Sequence, residues 1–324
     1  MTRGHGRILV TRALPEAWWA PLRVAGMDVD VMRSDDAPDA ETIRAAAVGA
    51  RALWVMLGDR VDEALLDAAG PQLEAVATFS VGVDHVDLAA CRERGVAVVH
   101  TPEVLTDATA DVAMTLLLAV TRRVREGEAL VRSGSWRGWG PQQLLGRDLA
   151  GARVLVVGAG RIGTAFARRV RAFDAEVAYH ARRRRPELEA AVGARYEGDL
   201  DDALARADVV SLHAPLTPET RYLLDARRLA LLPERAIVIN TARGPLIDEA
   251  ALAAALEAGH LWGAGLDVYE HEPRVHGDLL GRDDVVLLPH LGSATEGTRA
   301  AMARLVTDGV LAALGGQDAA NVLR

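Results

Sequence analysis

The chain has 324 residues, 50% hydrophobic and 25% charged, which is typical of a folded protein of about two domains. Its net charge of −8 argues against a nucleic-acid partner, and no apolar run approaches the roughly 18 residues that a membrane span needs. The single cysteine excludes an intrachain disulfide and a thiolate metal cluster, and the absence of lysine excludes Schiff-base chemistry. We therefore expect a cytoplasmic protein without a bound metal and with neither nucleic acid nor a membrane as a partner.

The first third of the chain alternates short apolar runs with helical patterns. Strands are predicted at 7–12, 27–32, 51–57, 75–80 and 96–101, and helices near 15–25, 41–49, 62–69 and 86–94. Repeated alternation of this kind is typical of a parallel sheet covered by helices on both faces.

A long helix is predicted over about 106–133, followed by a loop that contains Trp136 and Trp139. A second alternation then begins. Its predicted strands are 153–157, 176–180, 208–213, 236–240, 263–268 and 285–290, and a last helix spans about 294–314. The fold class expected is α/β, with two related, doubly wound parallel-sheet domains.

A glycine-rich turn follows the strand 153–157 and opens a helix. In the sequence GAGRIG, Gly158 permits a tight turn, Gly160 lets the backbone approach a pyrophosphate, and Gly163 lets the helix pack closely on the strand. This context, a strand followed by a helix, is that of a Rossmann-like dinucleotide-binding unit. The alternative is a glycine-rich turn with a purely structural role.

The next strand ends in a run of four arginines, 182–185, and no acidic residue occurs between Val177 and Pro186. An acid at this point would bind the ribose hydroxyls of NAD. Arginines here would instead meet the 2′-phosphate of NADP, so the run predicts NADP as the preferred cofactor and NAD as the second choice. A solvated arginine run on a loop is the alternative.

Three ionisable residues come just after predicted strands of the second block: Arg243, Glu272 and His290. Because the carboxyl ends of parallel strands share one edge, these side chains are expected to converge beside the dinucleotide. A histidine suits proton transfer near neutral pH, a carboxylate can orient it, and an arginine can hold a substrate carboxylate. A surface arginine, a loop glutamate and a satisfied buried histidine are the alternatives.

Seven segments occur in a fixed order along nearly the whole chain. They are SVGVDHVDL (80–88), TPEVLTDATADVAMTLLLA (101–119), VVGAGRIG (156–163), SLHAPLTPETRYLL (211–224), INTARGPLIDEAAL (239–252), GAGLDVYEHEP (263–273) and PHLGSAT (289–295). This set resembles the D-isomer-specific 2-hydroxyacid dehydrogenases, and most closely their glyoxylate/hydroxypyruvate reductase branch. The resemblance implies that His290 is the acid/base, Glu272 its partner and Arg243 the anchor of the substrate carboxylate.

The same resemblance implies further binding residues. The backbone amides of Val81 and Gly82 would also hold the substrate carboxylate. Arg161 and Ile162 would meet the pyrophosphate at the glycine turn. The remaining cofactor residues implied are Ala181, Arg182 and Arg183 on the adenosine side, and Thr109, Pro215, Thr241, Asp267 and Ser293 on the nicotinamide side.

The domain organisation implied is a substrate domain of residues 1–101 plus 293–324, with a dinucleotide-binding domain of residues 102–292 inserted. A cleft between the two domains would close over the substrate and exclude water. Family members are usually homodimers, and Trp139 matches a position that reaches the partner's active site. A Trp139 packed within its own subunit is the alternative.

The substrate expected is a small 2-keto acid reduced to a D-2-hydroxy acid, with glyoxylate, hydroxypyruvate and a bulkier keto acid left open. Gly58 and the loop 136–145 would shape the substrate pocket. Formate is disfavoured, because formate dehydrogenases carry Gln where this chain has Glu272. Two alternatives are an NAD-preferring dehydrogenase for a bulkier acid and a non-catalytic, dinucleotide-sensing protein like the corepressors that resemble this family.

Overall fold

The computed structural model describes residues 6–324, so the first five residues of the predicted domain 1–101 lie outside the described part. The chain divides into two compact units. Unit 1 comprises the chain up to Leu105 together with Thr295–Arg324, and unit 2 comprises Thr106–Ala294. Each unit is an α/β domain with its own sheet, which confirms the predicted fold class. The roles of the two units as substrate domain and cofactor domain stay a prediction.

The first part of unit 1 follows the predicted alternation. Its elements are β1 (Arg7–Val10), α1 (Glu16–Val24), β2 (Asp28–Val31), α2 (Ala40–Ala47), β3 (Ala52–Val55), α3 (Glu63–Ala69), β4 (Ala75–Thr78), α4 (Leu88–Glu93) and β5 (Ala97–Val99). β3 and β4 are buried along their whole length, which explains apolar runs without alternation. Asp39, Asp62 and Asp87 accept hydrogen bonds from backbone amides in the first turns of α2, α3 and α4 and so fix where these helices begin.

Unit 2 carries the second alternation. Its elements are α5 (Thr106–Thr121), α6 (Val124–Arg132), β6 (Arg153–Val157), α7 (Arg161–Arg171), β7 (Glu176–His180), α8 (Pro186–Val192), β8 (Arg195–Tyr196), α9 (Leu200–Leu204), β9 (Val209–Leu212), α10 (Ala226–Leu231), β10 (Ala236–Asn240), α11 (Glu249–Glu257), β11 (Leu261–Leu266), α12 (Gly277–Leu280) and β12 (Val285–Leu287). The parallel sheet runs β12-β11-β10-β9-β6-β7-β8. Its strand order reverses between β6 and β9, the point at which such sheets bind ligands.

The chain returns to unit 1 with α13 (Glu296–Leu314) and β13 (Val322–Leu323). The unit 1 sheet runs β13-β5-β4-β3-β1-β2 and is parallel except for β13, which lies antiparallel to β5. This edge strand is not among the predicted elements. The side chain of Asn321 donates to the carbonyls of His100 and Leu305, at 3.2 and 2.9 Å, and holds the returning chain against the end of β5.

The single helix predicted over 106–133 is wrong, because the structure divides it into α5 and α6. Arg123 lies between the two helices in the left-handed region, with φ of 52°. The Thr121 carbonyl accepts a hydrogen bond from the Arg147 amide at 2.8 Å, and Gly146 packs so closely that a Cβ there would overlap that carbonyl. A contact from a distant loop therefore ends α5, and no local glycine or proline marks the break.

A buried imidazole lies just after β9. The Nε2 atom of His213 is 2.8 Å from Ser211 Oγ, and the centroid of the imidazole ring is 5.0 Å from the ring centroid of Phe166. Its Nδ1 atom is buried and has no protein partner among residues 6–324. Burial lowers the pKa of His213 to about 3, so the folded protein keeps this side chain neutral where an unfolded chain would bind a proton.

The difference in proton binding by His213 between the folded and unfolded states predicts that acid lowers the stability of the protein. Below the ordinary histidine pKa of 6.5, the unfolded state takes up a proton that the folded state refuses, so the free energy of unfolding falls as the pH drops from 6.5 towards 3. The contribution is at most about 1.4 kcal/mol per pH unit. Denaturant titrations between pH 4 and pH 8 should show a weaker decline in His213→Gln. His271→Gln, at a side chain that is 65% exposed, is the matched control, and equal declines in both variants would contradict the account.

Candidate active site

Two ionisable side chains meet in unit 2. His290 Nδ1 lies 2.9 Å from Glu272 Oε2, and the other carboxylate oxygen of Glu272 accepts a hydrogen bond from the Tyr269 amide at 3.0 Å. Glu272 follows β11 and His290 follows β12, and these two strands are neighbours in the sheet. The structure therefore brings this predicted pair into direct contact.

A buried aspartate holds the backbone on both sides of this imidazole. The carbonyl of Asp267 accepts from the amide of His290 at 2.9 Å, and its carboxylate accepts from the amides of Leu291 and Gly292 at 2.6 and 2.8 Å. His290 itself has φ of 57°, in the left-handed region that non-glycine residues rarely adopt. The three bonds from Asp267 stabilise this conformation and so fix the direction of the imidazole.

Arg243 lies in the loop after β10, the next strand in the sheet. Asn240 shapes this loop, because its side chain accepts from the Ala242 amide at 3.0 Å and donates to the Arg243 carbonyl at 2.8 Å. Gly244 packs directly on the backbone of Tyr269, where a Cβ would overlap the carbonyl group. The absence of a side chain at Gly244 thus lets the arginine loop lie against the loop that leads to Glu272.

The electrostatics of this group favour an ionised Glu272. Burial by itself raises the pKa of the Glu272 carboxyl, but the hydrogen bond and charge of His290, the Tyr269 amide and the charge of Arg243 together outweigh it. The net result is a pKa below the ordinary glutamate value. Glu272 is therefore a carboxylate at neutral pH and an acceptor for a proton on Nδ1 of His290.

This arrangement leaves the second ring nitrogen of His290 for chemistry. Because Nδ1–H donates to a carboxylate, a neutral His290 presents a lone pair at Nε2, and a protonated His290 presents an N–H there. The side chain is 30% exposed, so a ligand can reach it from solvent. The pair can therefore donate or accept one proton, with Arg243 as a nearby fixed cation.

The glycine turn after β6 has the geometry that the sequence predicts. Gly158 has φ of 97°, and a Cβ there would lie 2.6 Å from the Ala214 amide nitrogen. A Cβ at Gly163 would overlap the Gly158 carbonyl, so this glycine permits close packing of α7 on the turn. A Cβ at Gly160 would meet no atom within 4 Å, and no side chain caps the start of α7. The open space before an uncapped helix fits a pyrophosphate group.

The other predicted cofactor residues lie at the same edge of the unit 2 sheet or in loops beside it. Arg161 and Ile162 form the first turn of α7, and the buried hydroxyl of Thr241 has no protein partner among residues 6–324. An orphaned hydroxyl in this position fits a ligand contact. Thr109 donates to the Gly292 carbonyl at 3.0 Å. Pro215 is exposed, and Ala181 and Ser293 are half-buried.

The arginine run after β7 divides into two parts. The Arg184 guanidinium donates to the Glu189 carboxylate at 2.6 and 3.1 Å, so this side chain is already engaged within unit 2. Arg182 and Arg183 are exposed, and neither makes a hydrogen bond or ion pair with the chain from residue 6 onward. These two guanidinium groups are available to an anionic ligand.

Unit 1 carries the predicted amide pair after β4. Val81 and Gly82 are half-buried, and within residues 6–324 their N–H groups donate to no protein acceptor. Gly58, after β3, is exposed at the same carboxyl edge of this sheet. Two adjacent open amides are a typical anion-binding feature.

Sequence reasoning missed Glu249, which is buried in the first turn of α11. Its carboxylate accepts from the amides of Glu270 and His276, at 2.7 and 3.3 Å, and so holds both ends of the loop that contains Glu272. The preceding Asp248 caps the helix, and an Asp-Glu pair at a helix start is ordinarily read as capping alone. Only the burial of Glu249 distinguishes it from a surface charge.

The chain is similar to several known proteins. The sequence profile described as "D-isomer specific 2-hydroxyacid dehydrogenase, NAD binding domain" matches residues 114–292. The glyoxylate reductase of Thermococcus kodakarensis is 42% identical over 96% of this chain and 94% of its own length. An NADPH-dependent glyoxylate/hydroxypyruvate reductase from Sinorhizobium meliloti, solved with NADP and malonate, is 36% identical, with a TM-score of 0.87 over 99% of this chain and 97% of that one.

A third relative binds the other cofactor. The D-lactate dehydrogenase of Aquifex aeolicus, solved with NAD and lactic acid, is 26% identical, with a TM-score of 0.84 over 96% of each chain. Similar folds in this group thus occur with either nicotinamide dinucleotide. Among residues 6–324 of the present chain, no helix has the length and apolar character needed to cross a bilayer.

The two glycines of the turn should respond differently to substitution. Gly163→Ala places a Cβ on the Gly158 carbonyl and should lower both the melting temperature and dinucleotide affinity. Gly160→Ala enters open space, so it should melt like the wild type yet bind NADPH at least about tenfold more weakly, because the Cβ obstructs the approach of the pyrophosphate. Calorimetric melting and NADPH fluorescence titration test this pair. Unchanged NADPH affinity in Gly160→Ala would contradict the assignment.

Proposed function

This chain belongs to the D-isomer specific 2-hydroxyacid dehydrogenase family, and we propose that it reduces small 2-keto acids, of the glyoxylate and hydroxypyruvate type, to D-2-hydroxy acids with NADPH. The observation that carries the proposal is the hydrogen bond between Glu272 and His290 beside Arg243. These side chains follow three adjacent strands of the sheet whose β6 leads into the glycine turn. A proton donor, a fixed cation and a dinucleotide turn are the groups that reduction of a keto acid requires.

A nicotinamide cofactor held at the glycine turn would supply the hydride. His290 gives the proton at Nε2 to the substrate's carbonyl oxygen as negative charge develops there. Glu272 stabilises the protonated imidazole before the transfer and keeps Nδ1–H in place afterwards, so the ring does not rotate. Asp267 holds the backbone of His290 and its successors, so the donor atom stays at a fixed point.

Recognition of the substrate is assigned to donors for a carboxylate. Arg243 offers a guanidinium fork for a bidentate contact, and the amides of Val81 and Gly82 offer two neutral donors. The names of the relatives support small 2-keto acids as substrates: the archaeal relative is a glyoxylate reductase and the bacterial one also carries hydroxypyruvate in its name.

The preference for NADP rests on Arg182 and Arg183. Their exposed guanidinium groups follow β7, where the ribose of a dinucleotide lies in folds of this kind, and residues 178–185 include no acidic residue to bind the 2′-hydroxyl. A charge-assisted hydrogen bond to a 2′-phosphate contributes about 1.5–3 kcal/mol. One such contact favours NADP over NAD by roughly 10- to 150-fold.

Self-association through the segment after α5 is part of the proposal. None of the residues of α6 is buried in the single chain, although the helix carries Val124 and Val131. The loop that follows exposes Trp136, Leu145 and Trp139, the last with 84% of its surface accessible. Exposed apolar side chains concentrated in one segment are typical of a protein interface, and a second copy of this chain is the proposed partner.

The cofactor assignment predicts a switch in preference. Replacing Arg182 and Arg183 with Ala should raise the KM for NADPH by about 10- to 150-fold and leave the KM for NADH nearly unchanged, because only NADPH carries the 2′-phosphate. Arg185→Ala, in the same run but assigned no contact, is the control. Equal NADPH kinetics in the double variant and the control would contradict the role given to these two arginines.

The central activity is tested by following reduced nicotinamide absorbance with glyoxylate and with hydroxypyruvate, each with NADPH and with NADH. We expect rapid NADPH consumption, slower NADH consumption, and D-glycerate as the product from hydroxypyruvate. Consumption that forms L-glycerate would contradict the proposed stereochemistry. Tight NADPH binding without consumption of cofactor would contradict the proposal and favour a bulkier keto acid or a dinucleotide sensor.

A further inference from the structure

The short segment after β4 is held by its carbonyl groups. The Ser80 carbonyl accepts from the Thr101 amide at 2.8 Å, and the Val81 carbonyl accepts from Nδ1 of His100 at 3.0 Å. Both partners come from one place, the two residues that follow β5. Two consecutive carbonyls of the segment therefore face the same neighbour, whereas in a regular strand they would alternate.

This arrangement determines where the next two amides point. The Ser80–Val81 and Val81–Gly82 peptide bonds are trans, so each N–H points opposite to the carbonyl of its own peptide plane. Because both carbonyls face residues 100–101, the N–H groups of Val81 and Gly82 both face away from them. Within residues 6–324 neither N–H has a protein acceptor, so two parallel donors are held open on one side of the segment.

We propose that His100 is a positioning residue that sets the Gly82 amide for binding the substrate carboxylate. The Thr101 amide does the same for Val81 through the backbone, but His100 is the only side chain of the described residues that bonds the Val81 carbonyl. A carbonyl oxygen can only accept, so Nδ1 of His100 carries the proton. The inference rests on the proposed function, which assigns these two amides to the substrate.

A second set of contacts closes the turn from the other end. Ser80 Oγ donates to the Gly82 carbonyl at 2.6 Å, and Thr78 Oγ lies 2.8 Å both from Ser80 Oγ and from Nε2 of His85. The single hydroxyl proton of Ser80 is donated to the Gly82 carbonyl, so Ser80 Oγ accepts from the Thr78 hydroxyl. Thr78 Oγ in turn accepts from Nε2–H of His85. These bonds stabilise the turn, but they do not contact the Val81 carbonyl, whose orientation is set by the hydrogen bond from His100.

The test compares two substitutions of similar shape. His100→Asn keeps an N–H donor at the same number of bonds from the backbone as Nδ1, and His100→Leu has the same branching without a donor. For the Leu variant we expect a rise of roughly 3- to 10-fold in the KM for glyoxylate, the scale of one neutral hydrogen bond. Its kcat and its Kd for NADPH should stay within about twofold of wild type, since His290 and the glycine turn are untouched. The Asn variant should restore the wild-type KM.

A binding measurement accompanies the kinetics and needs no turnover. Oxalate, a dicarboxylate that cannot be reduced here, is titrated calorimetrically into the NADPH-loaded protein, and its Kd should rise by the same factor in His100→Leu but not in His100→Asn. Failure of the wild type to reduce any 2-keto acid would contradict the proposed function, while the oxalate titration would still test His100. Equal oxalate Kd and KM values in the Leu variant and wild type, or equal losses in the Leu and Asn variants, would overturn the inference. If the Leu variant does not fold, His100→Ala takes its place in the same comparison.

Discussion

The proposed proton transfer depends on holding one imidazole in place, and two acidic residues do so from different directions. Glu272 bonds the ring of His290, and Asp267 bonds the backbone of His290 and the two residues after it. The left-handed conformation of His290 is costly by itself, at about 1–3 kcal/mol, and persists because these bonds determine it. The same few contacts thus set the orientation of the His290 ring and place a negative charge beside it.

The same device recurs in other loops at the carboxyl edges of the two sheets. In unit 2, Asn240 and Glu249 bond backbone groups of the loops that carry Arg243 and Glu272. In unit 1, His100 bonds the carbonyl that precedes the Gly82 amide. Parallel strands bring such loops to one edge of a sheet. Hydrogen bonds from polar side chains then hold each loop in one conformation.

The sequence predicted the elements that depend on local pattern and missed those that depend on distant contacts. Buried parallel strands and the glycine turn carry their own signals, and β6, β7 and β10 begin and end as predicted. The end of α5 at Thr121 is imposed by the Arg147 amide, and β13 pairs with β5 where Asn321 bonds the carbonyl of His100. The positions of Arg243, Glu272 and His290 after predicted strands pointed to the site, and the family resemblance implied their roles. What supports these residues is not visible in the sequence, because a buried carboxylate such as Glu249 looks like a surface charge there.

The single-turnover rate of NADPH oxidation by glyoxylate, compared between wild type and Glu272→Gln, most directly tests the role of Glu272 in proton transfer by His290. A carboxylate 2.9 Å from the ring forms a charge-assisted hydrogen bond that stabilises positive charge on the imidazole. Its replacement by a neutral amide should therefore lower the rate by about tenfold or more, the scale of one hydrogen bond to a charged group, without changing the Kd for NADPH. A Glu272→Gln variant with a rate within about twofold of wild type would contradict this role.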